Sequence, residues 1–372
     1  MFGRDRPEEG TVLDRRTLNR TLLARQFLLE RVGARATDVV EHLVGMQAQV
    51  PLDPYVACWS RLRAFDPDAL GRQLLERRLV RMSLMRATLH LVSSADALRL
   101  RPLLQEMLER AFASSPFARN LVGLDLAPVL ARGRGLVEET PLTVAQLRAA
   151  LGEEWPHHDS NSLAYAVRYL VPLVQVTPRG VWGLTLPPTV TTLASWAGPK
   201  APDTGTGVDE FVLRYLRAFG PASRADIRAW SWLSDVRSII ARLRPHLRVY
   251  RDEAGRELYD VSDGVFAERS APAPVRFLPQ YDNVFLAHAD RSRVMDRVTW
   301  GASFTHRGSF FVDGFLAGAW KLTDKKRNAT LVVDIRTRKR LAERRQIREE
   351  AEALLVFLTP ETRTRRLSLQ AA

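Results

Sequence analysis

Apolar residues in this chain switch repeatedly from a helical period to short strand-like runs on either side of a turn. The recurring theme is a capped helix, a second helix and a hairpin. The plainest copy starts at Thr143-Val144-Ala145-Gln146, a capping box opening a helix through Leu151. A second helix follows Asn161, with Leu163, Val167, Leu170 and Val171 at helical spacing. Residues 173–176 and 181–184 flank Thr177-Pro178-Arg179-Gly180 and predict a hairpin. The next copy has a helix over 209–219 stopped at Gly220-Pro221, then a short helix capped by Ser223-Arg224-Ala225-Asp226. A third helix over 234–243 carries Val236, Ile239, Ile240 and Leu243, and strands over 247–250 and 257–261 flank a turn at 252–255. Three helices and a hairpin make the winged helix-turn-helix pattern.

A more divergent copy comes first. Its helices are expected over 14–31, from Thr37, after Pro54 and after Asp66-Pro67, with strands over 80–85 and 87–92. Past Ala271-Pro272-Ala273-Pro274 the pattern becomes strand-rich, over 275–278, 309–313, 316–320 and 331–335, before one last helix. Gly314 marks a bulge or turn, and Trp230 and Trp232 are expected in a core. Linkers are read at Leu186-Pro187-Pro188 and from Gly198-Pro199 to Gly207. At 372 residues the chain exceeds one ordinary core. The expectation is an α+β protein of about three tandem winged helix-turn-helix units, 1–95, 96–198 and 206–270, with a β-rich module and final helix over 271–372.

Charge narrows the partner. Lys and Arg number 55 against 42 Asp and Glu, a net charge of +13, and Arg supplies nearly all of the excess. A field of this size favours a polyanion, and Arg forks phosphate oxygens in a way Lys does not. A GC-rich genome accounts for Arg over Lys but not for the net charge. The single Cys58 excludes an internal disulfide and a cysteine metal cluster. The charged start Met1–Arg6 has no apolar run behind it, and no stretch has the apolar length of a membrane span, so a cytoplasmic protein is expected. His157-His158-Asp159 resembles a ligand cluster but sits in a turn without a second cluster. No phosphate-cradling Gly loop, Ser-His-Asp arrangement or nucleotide fingerprint is present, and no metal or cofactor is expected.

The chemistry concentrates in His42-Leu43-Val44-Gly45-Met46-Gln47-Ala48-Gln49-Val50-Pro51-Leu52-Asp53-Pro54-Tyr55. Residues two apart share a side of an extended segment, so Gln47 and Gln49 project into one space if the backbone there is extended. Glutamine offers an acceptor and donors but no titrating group. Such a pair orients a water and meets a developing charge with a carbonyl dipole, yet is no strong base. The plain structural alternative is a pair that satisfies backbone groups beside a helix end.

This segment resembles the Gln-x-Gln motif of the winged-helix DNA glycosylases of the AlkZ/YcaQ type. Leu84–Val92, Phe277-Leu278-Pro279-Gln280-Tyr281-Asp282-Asn283, His288–Ser292, Val312-Asp313-Gly314-Phe315 and Trp320-Lys321 are similar to the same family, across most of the chain. The resemblance implies a C-shaped, DNA-embracing monomer whose Gln47 and Gln49 are catalytic. The implied reaction is hydrolysis of a cationic 7-alkylguanine, which leaves as a neutral base and needs no acid. One branch of the family has Asp at the second position. With Gln49, this chain looks like the branch associated with bulky natural-product adducts and crosslinks. Without a carboxylate beside Gln47, only leaving groups already carrying positive charge are expected to be served.

Other positions read less sharply. His90 lies in the alternating run Thr88-Leu89-His90-Leu91 and reads as half-buried, with the resemblance adding a lesion or backbone contact. Arg86 is a candidate phosphate ligand. Tyr281, Asp282 and Asn283 read as structural first and as substrate contacts second. Arg336, Arg338, Lys339, Arg340, Arg344, Arg345 and Arg348 crowd the start of the last helix, where they oppose its dipole. Either a solvated face or a phosphate contact accounts for them. The partner that the resemblance implies is double-stranded DNA carrying alkylated purines. The competing reading is a non-catalytic winged-helix DNA-binding protein such as a transcriptional regulator, although such proteins usually dimerise on half-sites and no dimerisation zipper is evident.

Overall fold

The computed structural model describes residues 6–198, 207–296, 308–325, 328–336 and 340–371. Of the linker expected between Gly198 and Gly207, only those two ends fall among the described residues. The architecture is α+β, and three sheets organise the described residues. The six-stranded one runs in the order Met46–Gln47, Leu89–Ser93, Leu79–Ser83, Leu173–Gln175, Thr189–Thr192, Leu142–Thr143. The strands expected in the first two units therefore share one layer. Between them the chain adds helices Ser94–Leu103, Gln105–Ala113 and Leu126–Glu139. Asp159 caps the helix Ser160–Leu170 by accepting from Ser162 N at 2.8 Å.

The hairpin expected over 173–184 does not form. Leu173–Gln175 pairs with Thr189–Thr192 instead, and 181–184 stays outside the ladder. Trp182 is captured by Tyr55 at 5.0 Å and Phe357 at 5.1 Å between ring centroids, which draws this stretch off the sheet. Alternation along a sequence does not distinguish a strand from a loop whose aromatic residue packs elsewhere.

Residues 208–261 follow the expected order closely. Helices Val208–Phe219, Arg224–Ser231 and Val236–Leu243 precede the antiparallel strands Leu247–Asp252 and Glu257–Val261. Trp230 is buried among Phe211, Tyr215 and Phe219, as its pattern implies. Trp232 is not in the core: it caps its helix at a left-handed φ of 60° and is 47% exposed. Val12–Leu13 adds a third strand, parallel to Leu247–Asp252, so the N-terminal segment joins this module.

The C-terminal sheet runs Arg276–Leu278, Gly308–Val312, Phe315–Lys325, Asn328–Ile335, Thr364–Ala371. Asp313-Gly314 forms the turn between its second and third strands. Ala329, Leu331, Val333 and Ile335 alternate inward, and the helix Leu341–Leu358 covers them with Ile347, Ala351, Leu354 and Leu355. That helix does not end the fold as expected. Thr364–Ala371 returns parallel to Asn328–Ile335. Its apolar signal is only Leu367 and Leu369, set among Arg365, Arg366 and Gln370, too sparse to stand out.

The first helix, Arg15–Arg25, joins these parts. Asp14 caps it by accepting from Thr17 N at 2.7 Å, and it stops short of the expected residue 31 because Phe27 turns left-handed. It buries Asn19, Arg20 and Arg25 as well as leucines. Asn19 donates to Arg293 O and Gly314 O, and Arg25 forks both oxygens of Asp260 at 2.7–2.8 Å. Arg25 and Asp260 are almost wholly removed from solvent. Breaking one side of such a pair leaves a bare buried charge. Arg25→Met should therefore cost about 3–5 kcal/mol in urea unfolding, and Arg25→Met with Asp260→Leu should recover more than half of that loss.

Candidate active site

The helix Ala36–His42 ends in a two-residue reversal. Val44 and Gly45 are both left-handed, with φ of 54° and 92°, and Gly45 N bonds back to Val40 O at 2.8 Å. A β-branched residue at positive φ is costly and occurs where the surroundings impose it. A Cβ at Gly45 would stand 2.5 Å from Val92 Cγ1, so only glycine lets the chain pass against the Leu89–Ser93 strand. Met46 and Gln47 then pair with Leu91 and His90, and Ala48 N donates to Leu89 O at 2.7 Å. The extended stretch ends there, and the chain bends through 49–52 into the helix Asp53–Arg61. The two glutamines accordingly lie at different depths. Gln47 is 6% exposed, whereas Gln49 is exposed and its side chain makes no hydrogen bond among the described residues.

Gln47 is oriented by Arg86. Arg86 Nη2 donates to Gln47 Oε1 at 3.0 Å, and Nη1 donates to Trp230 O at 2.7 Å. A guanidinium only donates, so the amide oxygen, not its nitrogen, must face Arg86. His90 supports the same guanidinium. Its Nδ1 lies 2.8 Å from Thr88 O, which only accepts, so Nδ1 carries the proton. Nε2, at 3.4 Å from Arg86 Nη2, is then the acceptor. Burial, reinforced by the Arg86 charge, pushes the His90 pKa down to about 3, and the ring stays neutral near pH 7. Arg86 itself sits with Ala87 in a left-handed turn, and burial and the nearby Arg291 lower its pKa to about 10.

The 281–283 loop closes the other side. Gln47, Met46, Arg61, Tyr281, Asp282 and Asn283 line one small cavity. A carboxylate thus does stand beside Gln47, contrary to the expectation from the segment alone. Both Asp282 oxygens are held by Arg61, at 2.7 and 2.8 Å, and Oδ1 also caps Val284 N. Asn283 Nδ2 donates to Gly45 O at 2.7 Å and clamps the backbone before Met46. Tyr281 is half-buried at the cavity. Two residues stand out only in three dimensions. Arg81 Nη2 donates to Ala48 O at 2.6 Å. Asp53 is buried, and burial, with Asp282 adding to it, raises its pKa to about 7 against the pull of the Tyr281 and Gln280 amides and Arg81. Asp53 lies inside the singled-out segment; Arg81 carries no sequence signal beyond an interrupted apolar run.

The basic cluster at the last helix is only partly described. Arg338 and Lys339 lie outside the described residues. Arg340, Arg344 and Arg345 are exposed at the helix start, and Arg345 pairs with Glu349 at 2.8 Å. A cleft of about 950 Å³ between Ser223–Asp226 and Ala289–Asp296 includes Arg224, Arg256 and Arg291. Groups of histidine, cysteine and carboxylates able to hold a metal ion are absent among the described residues.

An oriented amide beside a neutral histidine suits hydrolysis in which the leaving group requires no proton, a class that includes DNA glycosylases acting on charged bases. A profile of the family described as DNA glycosylase AlkZ-like matches residues 40–357. The chain belongs to this AlkZ-like DNA glycosylase family. An interstrand DNA cross-link repair glycosylase of Streptomyces sahachiroi is 27% identical over 338 residues, covering 82% of this chain and 86% of that protein. The solved structure of Streptomyces sahachiroi DNA glycosylase AlkZ has the same fold, with a TM-score of 0.71 at 22% identity over 97% of this chain and 100% of that one.

The neutral His90 has a consequence for stability. Its folded pKa lies below its unfolded value, so the stability it contributes is present above about pH 6.5 and is lost as pH falls toward about 3. His90→Gln should flatten the acid limb of stability against pH by about 1 kcal/mol per unit, read from urea melts between about pH 4.5 and 6. An unchanged slope would mean that His90 charges freely in the fold.

Proposed function

We propose that the protein is a monofunctional DNA glycosylase. It hydrolyses the N-glycosidic bond of cationic 7-alkylguanine in double-stranded DNA and leaves an abasic site. Bulky natural-product adducts and interstrand crosslinks fall within that chemistry, and the Streptomyces sahachiroi relative is named for cross-link repair. The protein acts as a monomer in the cytoplasm, on nucleoid DNA, without a cofactor. The observation that carries the reading is the fixed amide of Gln47, its oxygen turned toward Arg86. One lone pair of that oxygen remains to accept from a water.

The step balances without an acid. Water oxygen bonds to the anomeric carbon, the carbon–nitrogen bond breaks, and its electron pair neutralises the purinium ring. The water proton passes to solvent. Gln47 and Gln49 align the water and present carbonyl dipoles to the positive charge that develops on the sugar. Asp282 stays with Arg61, so excision of a neutral base lacks its catalyst. Arg86 poses an electrostatic problem that also assigns its partner. A guanidinium about 6 Å from a sugar cation repels it by roughly 3 kcal/mol at an effective dielectric of about 20. A backbone phosphate beside the lesion offsets this charge, and Arg86 takes that contact while His90 holds it in place. Tyr281 faces the lesion, and Arg338, Lys339 and Arg340 contact the more distant backbone.

Duplexes carrying 7-methylguanine or a bulkier 7-adduct should yield alkali-labile abasic sites in EDTA. No product above the protein-free control on either duplex would leave a DNA binder without this activity. Gln47→Ala and Gln49→Ala should each lower single-turnover excision by one or more orders of magnitude, with duplex affinity nearly unchanged. Equal loss of binding would instead make the pair structural.

A further inference from the structure

Gln49 raises a question of position. Its side chain is exposed and makes no hydrogen bond among the described residues, and the ladder ends one residue earlier. The peptide before it sets where its backbone begins. A peptide unit is planar, so the direction of Ala48 C=O determines where Gln49 N and Cα lie. That carbonyl accepts from Arg81 Nη2 at 2.6 Å.

Arg81 is built into this place at some cost. It projects from the strand Leu79–Ser83 and is 3% exposed. Its Nε and Nη1 have no hydrogen-bond partner among the described residues, nor has Oδ2 of the nearby Asp53. Each unsatisfied buried donor costs about 1–3 kcal/mol, so an apolar side chain would serve packing better. Burial, and Arg179 close by, lower the Arg81 pKa to about 10, leaving the guanidinium charged near pH 7. Gly180 roofs it: with φ of 91°, a Cβ there would fall 2.8 Å from Arg81 Cδ and 2.9 Å from Nη1. Gly180 O in turn accepts from Tyr55 Oη at 2.8 Å, and Tyr55 lies on the helix that follows the glutamine segment.

We propose that Arg81 is the positioning residue for Gln49, holding the Ala48–Gln49 peptide plane at the angle that brings the Gln49 amide to the reacting water. Gly180 and Tyr55 form the seat that keeps Arg81 extended toward Ala48. This rests on the reading of Gln49 as catalytic. Arg81 touches no substrate; it acts through the backbone.

The test is a double-mutant cycle in single-turnover excision of 7-methylguanine from a duplex, with binding and circular dichroism alongside. Arg81→Met should slow excision at least tenfold while duplex Kd stays within twofold of wild type. Arg81→Lys, which still places one donor near Ala48 O, should restore part of the rate. In a Gln49→Ala background, Arg81→Met should change the rate by less than twofold, because the residue it positions is gone. A purely structural Arg81 would instead lower the rate by the same factor in both backgrounds, and that result overturns the proposal. So does an Arg81→Met rate within twofold of wild type. If Arg81→Met does not fold, Gly180→Ala displaces the guanidinium without removing it and runs through the same cycle, with the same two results deciding. A Gln49→Ala rate equal to wild type would defeat the catalytic reading of Gln49 itself, and the proposal with it. Loss in Gln49→Ala but not in the Arg81 and Gly180 variants would defeat the proposal alone.

Discussion

The fork between Arg61 and Asp282 is the contact on which the site depends. Both side chains are essentially absent from the surface, and two parallel hydrogen bonds of 2.7 and 2.8 Å join them. Arg61 ends the helix that leaves the glutamine segment, and Asp282 lies in the 281–283 loop, whose next residue, Asn283, holds Gly45 at the segment's entrance. One ion pair thus ties the exit of the segment to its entrance through a loop more than 200 residues away in sequence. Removing either partner leaves a buried charge unmatched, at a cost of about 3–5 kcal/mol. Arg86 and Arg81 work inside that frame, one on the Gln47 side chain and the other on the Ala48 carbonyl.

The abundance of arginine takes on a second meaning here. Arg20, Arg25, Arg61, Arg81, Arg101, Arg276 and Arg293 are all buried among the described residues. Several donate to backbone carbonyls of distant segments: Arg20 to Ala271, Arg25 to Leu216 and Val265, Arg276 to Leu28, Arg293 to Pro221. A guanidinium with five donors joins several acceptors at once, which Lys does less well. A polyanionic partner accounts for the net charge of +13, but not for these residues. They stitch modules together.

Much of the fold was legible because caps and periods are local. The Thr143 and Ser223 capping boxes and the hairpin over 247–261 follow from neighbours in sequence. The failures are non-local. Trp182 leaves its expected strand for Tyr55 and Phe357, and Thr364–Ala371 becomes a strand because Asn328–Ile335 offers it an edge. At the site, the two glutamines and the 281–283 loop stand out in sequence, yet their division of labour does not. No spacing rule joins Arg61 to Asp282, puts a guanidinium over Ala48, or turns Arg86 inward to Gln47.

Asn283 holds Gly45 O, and under the proposed function this clamp makes loop and segment one device for placing Gln47. A double-mutant cycle between Asn283→Ala and Gln47→Ala, read in single-turnover excision of 7-methylguanine, tests it most directly. Strong coupling is expected: Asn283→Ala slows the wild type by more than tenfold and the Gln47→Ala variant by little further. Independent, multiplicative losses from the two substitutions would contradict it.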